Sequence, residues 1–312
     1  MNLHQLRIIR ETVRSNFNVT DAANAIFASQ SGVSKHIRDL EEELGVPLFH
    51  RRGKRLLGLT ELGEQVVQIA DRVLLEADNI KRAASQFASS DTGVLDVATT
   101  HTQARYVLPP VILQFTKEFP GVRLVLHQAN PQDIAFMLKS GATDLGIATD
   151  AFASNKEIVA FPYYTWQHIV VVPPGHPLDG REQVTLEEIA AFPIVTYDTG
   201  VTGRTRIDEA FHARDLHPQV TMGALDADVI KAYVALGLGV GIIAPMAFDG
   251  TRDTNLRQVN CREAFTPSTT FIALRRGRLH RGFLHRFIEL CTPTITELRI
   301  REAEDVEAGD DD

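Results

Sequence analysis

The sequence predicts an all-α winged helix-turn-helix head, a long linker helix and an α/β body. Three observations carry this. Apolar residues recur at helical spacing through residues 3–44, and a basic hairpin with a central glycine follows. Residues 60–88 lack proline and keep a heptad-like apolar seam. From Val94 onward, strand-like and helix-like segments alternate. The 312 residues, 44% apolar and 23% charged, supply more than one core and exclude disordered or collagen-like classes.

In the head, Leu3, Leu6, Ile9 and Val13 mark a first helix, with Ile8 beside them. Asn18 or Thr20 is placed to cap a second helix through Ala22, Ala23 and Ile26. After the turn at Ala28 and Ser29, a third helix buries Val33, Ile37, Leu40 and Leu44 and stops at Gly45. Ser29 opens that helix, and its other face shows Gln30, Ser31, Ser34, Lys35 and Arg38. Short hydrogen-bonding and basic side chains of this kind read base edges and hold phosphates. Arg51, Arg52, Lys54 and Arg55 surround Gly53 as a wing whose cations suit a DNA backbone. Residues 1–60 hold nine Lys/Arg against six acids, although the whole chain carries −8. A basic head on an acidic body confines nucleic-acid contact to the head. A solvated basic hairpin without a partner is the blander reading, and the helix-turn-helix before it argues against that.

The linker seam runs Leu62, Val66, Ile69, Val73, Ile80, Ala83 and Phe87 along a helix of ~43 Å. Ser85, Ser89, Ser90, Asp91 and Gly93 then form a polar hinge. The expected boundaries are 1–59 for the head, 60–92 for linker and hinge, and 93–312 for the body. In the body, strands are expected at 94–98, 122–127, 145–148, 169–172, 194–197, 240–244 and 271–274. Helices are expected at 105–119, 131–140, 203–214, 226–236 and 281–291, giving largely parallel sheets. The tail, 302–312, is acidic and expected to be disordered. The two cysteines, Cys261 and Cys291, match no disulfide scaffold or metal spacing. The charged N-terminus carries no secretory h-region, and no apolar run approaches the roughly 18 residues of a membrane span. A cytoplasmic protein is expected.

Ligands in open α/β sheets collect at the carboxyl ends of strands. Three such ends are rich in threonine, at residues 97–103, 147–149 and 195–204. Two of them run into helix starts, where free N–H groups and the helix dipole favour an anion. Threonine hydroxyls and the Gln103 amide add neutral donors. Taken singly, Thr102 or Thr202 is better read as an N-cap; the recurrence of the pattern points to a site. Trp166 suits a cleft wall or core mass equally, and His101 suits a helix start better than a general base.

Ala23-x-x-Ile26, Ser29-Gln30-Ser31-Gly32-Val33-Ser34, Ile37-x-x-Leu40-Glu41, Leu44-Gly45-x-x-Leu48-Phe49-x-Arg51 and Leu59-Thr60-x-x-Gly63 resemble the N-terminal signature of LysR-type transcriptional regulators. Many members have proline where Ser31 stands, and serine can cap the same helix start. Thr99-Thr100-His101-Thr102-Gln103-Ala104-Arg105-Tyr106, Asp226-Ala227-Asp228-Val229-Ile230-Lys231 and 236–241 resemble the CysB group of that family.

The resemblance implies a two-lobed effector domain like periplasmic binding proteins, with 93–161 and 267–292 in one lobe and 162–266 in the other. It implies a small anionic effector between the lobes (sulfate, an acetylserine or a related sulfur metabolite) held by Thr100, Thr102, Gln103, Thr149, Trp166 and Thr202. It further implies pairing through the linker helix into homodimers or homotetramers, promoter DNA and RNA polymerase as partners, and control, as an activator, of sulfur-assimilation genes. No cofactor or metal is expected. The alternative is an enzyme acting on a small anionic metabolite with an appended DNA-binding domain. No GxSxG, GxxxxGK[ST] or HExxH pattern supports it. A transport binding protein conflicts with the basic head.

Overall fold

The computed structural model describes residues 1–88, 91–152, 155–201, 203–261 and 264–305. The chain divides into two compact units, the first ending at Ala88.

In the first unit, α1 (Leu3–Arg14) starts with a capping box between Asn2 and Gln5. Asn18 caps α2 (Val19–Ala25), accepting from the amides of Thr20 and Asp21. Ser29 caps α3 (Gln30–Leu44) by accepting from the Gly32 amide at 3.1 Å, and Gly45 ends it in the left-handed region. The expected capping role of Ser31 is therefore corrected: Ser31 lies inside the helix, its hydroxyl 3.2 Å from that of Ser29. Leu6, Ile8, Ile9, Val33, Ile37 and Leu40 form the core. Leu3 and Leu44, expected on buried faces, are exposed near the helix ends. The wing is an antiparallel pair, β1 (Phe49–Arg52) and β2 (Arg55–Leu59), turning at Gly53.

The linker helix α4 spans Glu61–Ala88. It carries two apolar stripes. Val67, Ala70 and Leu74 pack into the head core, with Val66 against its edge. Leu62, Ile69, Val73, Ile80 and Phe87 stay exposed, Ile80 at 71% and Phe87 at 97%. The expected seam is thus the outward stripe, except that Val66 turns partly inward.

The second unit contains two five-stranded sheets. Its first half runs β3 (Thr92–Thr99), a π-helical turn Gln103–Val107, α5 (Leu108–Glu118), β4 (Gly121–Gln128), α6 (Pro131–Ser140), β5 (Leu145–Thr149) and β6 (Ile158–Trp166). There follow β7 (Ile169–Val172), α7 (Leu186–Ala190), β8 (Ile194–Tyr197), α8 (Arg204–His212), β9 (Val220–Ala224), α9 (Ala227–Ala235), β10 (Val240–Ile243) and β11 (Arg257–Val259). The chain returns through β12 (Ser268–Arg275), α10 (Gly282–Cys291) and α11 (Glu297–Asp305). The sheet orders are β4-β3-β5-β12-β6 and β11-β7-β10-β8-β9.

Both sheets are mixed rather than largely parallel. β3 pairs with β4 and β5 in parallel, whereas β12 runs antiparallel to β5 and β6. In the second sheet β8 pairs with β9 and β10 in parallel, and β7 is antiparallel to β10 and β11. The chain changes sheets after Trp166, not at 161/162, because β6 remains paired to β12 until Trp166 meets Ser268. Residues 302–305 end α11, correcting the expected disorder there; the tail beyond them lies outside the described residues. Among the described residues, no helix is long and apolar enough to cross a membrane.

Candidate functional site

On the head, Ser29, Gln30, Ser31, Lys35 and Arg38 are exposed along the start and one face of α3, and Ser34 is half-buried. Arg51, Arg52, Lys54 and Arg55 are exposed on the wing. A recess of about 510 Å³ is lined by Asn18 and Thr20 at the start of α2, Gln30 on α3, and Lys54 and Arg55 on the wing. Recognition helix and wing thus share one concave surface.

Two of the expected DNA contacts also serve the fold. Ser29 spends its oxygen on the cap. Arg51 is ion-paired with Glu41 of α3, whose other oxygen accepts from the amides of Leu48 at 2.8 Å and Phe49 at 3.2 Å. That carboxylate ties the wing to the recognition helix, and the sequence motif alone did not reveal it.

In the body, Gln103, Thr149 and Trp166 converge. The Thr270 hydroxyl accepts from the Trp166 indole N–H at 3.0 Å and lies 2.9 Å from the Thr149 hydroxyl. Tyr164 donates to Gln103 Oε1 at 2.7 Å and also adjoins Thr270. Tyr164, Trp166, Ser268, Thr270 and Thr149 share one face of the first sheet, because directly opposed residues point the same way. Tyr164 was missed because 161–164 read as a crossover, and Thr270 and Ser268 because β12 runs antiparallel. Its amino end lies beside the carboxyl end of β5, and a search of carboxyl ends passes over it. The signal was present as Ser268-Thr269-Thr270.

Thr100 and Thr102 add a second polar surface. With His101, Gln128, Asn130 and Asp226 they line a cavity of about 390 Å³. Thr102 makes no capping bond and adjoins the Tyr197 hydroxyl of the second lobe. His101 Nδ1 lies 3.0 Å from Gln128 Oε1. A second cavity, about 490 Å³, is lined by Thr149, Asp150, Gly203, Thr205 and Arg206 among others. Thr202 lies outside the described residues. Thr99 and Thr196 are not available as donors, since their hydroxyls bond the carbonyls of Ile147 and Ile242 on neighbouring strands.

Two polar latches cross between the lobes. Tyr106 donates to Asp228 at 2.6 Å, joined by Arg105 at 3.3 Å. Arg206 reaches Asp150 at 3.2 Å. Burial first, then the Asp228 carboxylate, pushes the Tyr106 hydroxyl far up, so it stays a donor. Burial raises the Tyr197 hydroxyl to about 12. His168, buried beside Trp166, has its pKa lowered to about 4 by desolvation and is neutral near pH 7. The site is therefore built from uncharged polar groups: hydroxyls, an indole, an amide and a helix start.

This pairing of a winged helix-turn-helix with a two-lobed cleft defines a class, and the chain belongs to it: it is a DNA-binding transcriptional regulator of the LysR family. Residues 3–64 match the family described as "Bacterial regulatory helix-turn-helix protein, lysR family", and residues 88–295 match the "LysR substrate binding domain". Within the family it falls in the CysB group. It is 55% identical to the HTH-type transcriptional regulator SsuR of Burkholderia cenocepacia, over 96% of this chain and 97% of that one. It is 49% identical to the regulator cbl of Escherichia coli, over 95% and 94%. Identity to the regulator CysB of Burkholderia cenocepacia is 46%, over 97% of each chain. The crystal structure of the cofactor-binding domain of the Cbl transcriptional regulator superposes with TM-score 0.65 at 44% identity, covering 68% of this chain and 92% of that one. A full-length OxyR variant of Pseudomonas aeruginosa shares the fold at TM-score 0.67 and 23% identity, over 94% of both chains. The close relatives are named regulators, so the enzyme alternative falls away.

Proposed function

We propose that this regulator activates sulfur-assimilation genes when a small sulfur-containing anion, such as sulfate or an acetylserine, occupies the cleft between its lobes. Thr100, Thr102, Gln103, Thr149, Trp166 and Thr202 hold the anion, with Thr270 and Tyr164 orienting them. The observation that carries this is the buried cluster of uncharged polar groups around Thr270, whose Thr149 lines a cavity together with Gly203 and Arg206 of the second lobe. Neutral donors suit a small anion that must be released again, because they bind it without a permanent counter-charge. The CysB-group relationship supplies the sulfur theme. Ser29, Gln30, Ser31, Ser34, Lys35, Arg38, Arg51, Arg52, Lys54 and Arg55 contact promoter DNA, two heads being paired through α4 in a homodimer or homotetramer that recruits RNA polymerase. The effector acts by binding one arrangement of the paired heads better than another.

The test is thermal-shift titration of the full chain with sulfate, N-acetylserine, O-acetylserine, thiosulfate and adenylyl sulfate. A ligand at about a hundred times its Kd stabilises by about 2.7 kcal/mol. One compound is expected to raise Tm and to change promoter binding in parallel. Indifference to all five would remove the anion-cleft reading.

A further inference from the structure

We propose that His168 is a further ligand of the bound anion and takes up a proton as the anion arrives. This rests on the anion-cleft reading and adds a residue and a proton to it.

His168 lies just past β6, where the chain first passes between the sheets, and is 3% exposed. Both ring nitrogens are buried and without a hydrogen-bond partner. A neutral imidazole has one N–H and one lone pair to satisfy. Leaving both unmet in a core is costly, and such groups mark a place where a partner belongs.

The ring is aimed at a helix start. A Cβ at residue 203 would lie 2.5 Å from His168 Nε2 and 3.7 Å from the Trp166 ring. Gly203 caps the nine-residue α8 at φ +92°, with no side chain bonded over the first-turn amides. Only glycine leaves room there for the imidazole, and only an uncapped start leaves N–H groups to offer. The Ser268 hydroxyl, opposite Trp166 on β12, is also buried and unpartnered. Polar atoms from three segments thus gather around the Trp166 ring.

The surrounding charges select the proton. Asp150, at the end of β5, acts on the ring and is ion-paired to Arg206 of α8. Arg206 also meets Glu209, and Arg204 is committed to Asp208 and the Tyr197 carbonyl. Tyr197 from β8 and Cys261, after β11, are neutral, and Trp166 and Phe265 pack on the ring edge-on. Among the described residues, no uncommitted cation faces the imidazole. A solvent proton added to its bare nitrogen supplies the positive charge that an arriving dianion lacks. No bond breaks, and the proton returns to water on release.

The experiment is calorimetric titration of the full chain with sulfate near pH 6, in buffers of different ionisation enthalpy, repeated across pH. Sulfate stays dianionic throughout, so any proton uptake belongs to the protein. The wild type is expected to take up a large fraction of a proton per anion and to bind more tightly toward acid, by up to about tenfold per pH unit. His168→Gln keeps a neutral donor and is expected to bind more weakly, with no uptake and a flat pH profile. Wild-type binding without proton uptake overturns the proposal, even if the variant fails to fold. So does a variant that keeps the wild-type slope. Absence of any sulfate binding by the wild type overturns the anion-cleft reading itself and this proposal with it, a result distinct from pH-independent binding.

Discussion

Thr270 is the residue on which the cleft turns. Its hydroxyl meets Trp166, Thr149 and Tyr164, so Thr270→Val keeps shape and deletes a hub. The indole N–H would lose its acceptor in the core, at a cost of about 1–3 kcal/mol. Trp166 is the chain's single tryptophan, so its fluorescence reports the site directly. The variant is expected to shift the emission, lower Tm and weaken effector binding; an unchanged spectrum and affinity would contradict the hub. His168 carries a second residue-scale expectation. Its folded pKa is about 4, against ~6.5 when unfolded. Above pH ~6.5 neither state holds the proton, and stability is complete. As pH falls toward 4 the unfolded chain takes up a proton that the folded chain refuses, and about 3 kcal/mol of stability is lost. Urea midpoints without anion should fall between pH 7 and 5, and His168→Gln should remove that share of the slope.

The wing and the recognition helix behave as one element because Glu41 joins them. It accepts two wing-side amides and pairs with Arg51. Glu41→Ala is expected to destabilise the head by about 1–3 kcal/mol and to weaken operator binding. Lys54→Ala should weaken binding with Tm unchanged. Circular dichroism melts and gel shifts on both variants check the contrast. Elements of the head were legible because α1 to α3 bury one stripe each, and a single stripe declares its period. The linker was half legible. Its outward stripe was visible, whereas Val67, Ala70 and Leu74 form a second stripe that periodicity could not assign to a neighbour. β6 was obscured by Pro162 and three aromatics, which read as a crossing although the strand continues to Trp166. The helix expected at 105–119 opens instead as a π turn over Gln103–Val107. Such a turn has no sequence signature, yet it places Gln103 against Tyr164.

At the scale of the molecule, the division into DNA-reading head, long helix and two-lobed body was readable from motif and alternation. The polar cluster, whatever it binds, was legible as far as Gln103, Thr149 and Trp166, whose partner Thr270 is 104 residues further on than Trp166. No local pattern announces a contact at that range. The outward stripe of α4 gives the corresponding test. Ile69→Asp is expected to leave the head folded, since Ile69 is exposed, and to convert assemblies to monomers in sedimentation. Its operator affinity should fall at least tenfold, which is about 1.4 kcal/mol. A consequence follows from Leu62, Ile69, Val73, Ile80 and Phe87 meeting water in the lone chain. Should these residues pair two copies as proposed, mass action would make promoter occupancy at scarcity rise as the square of the protein's concentration, and a twofold change in expression would become a nearly fourfold change at the gene.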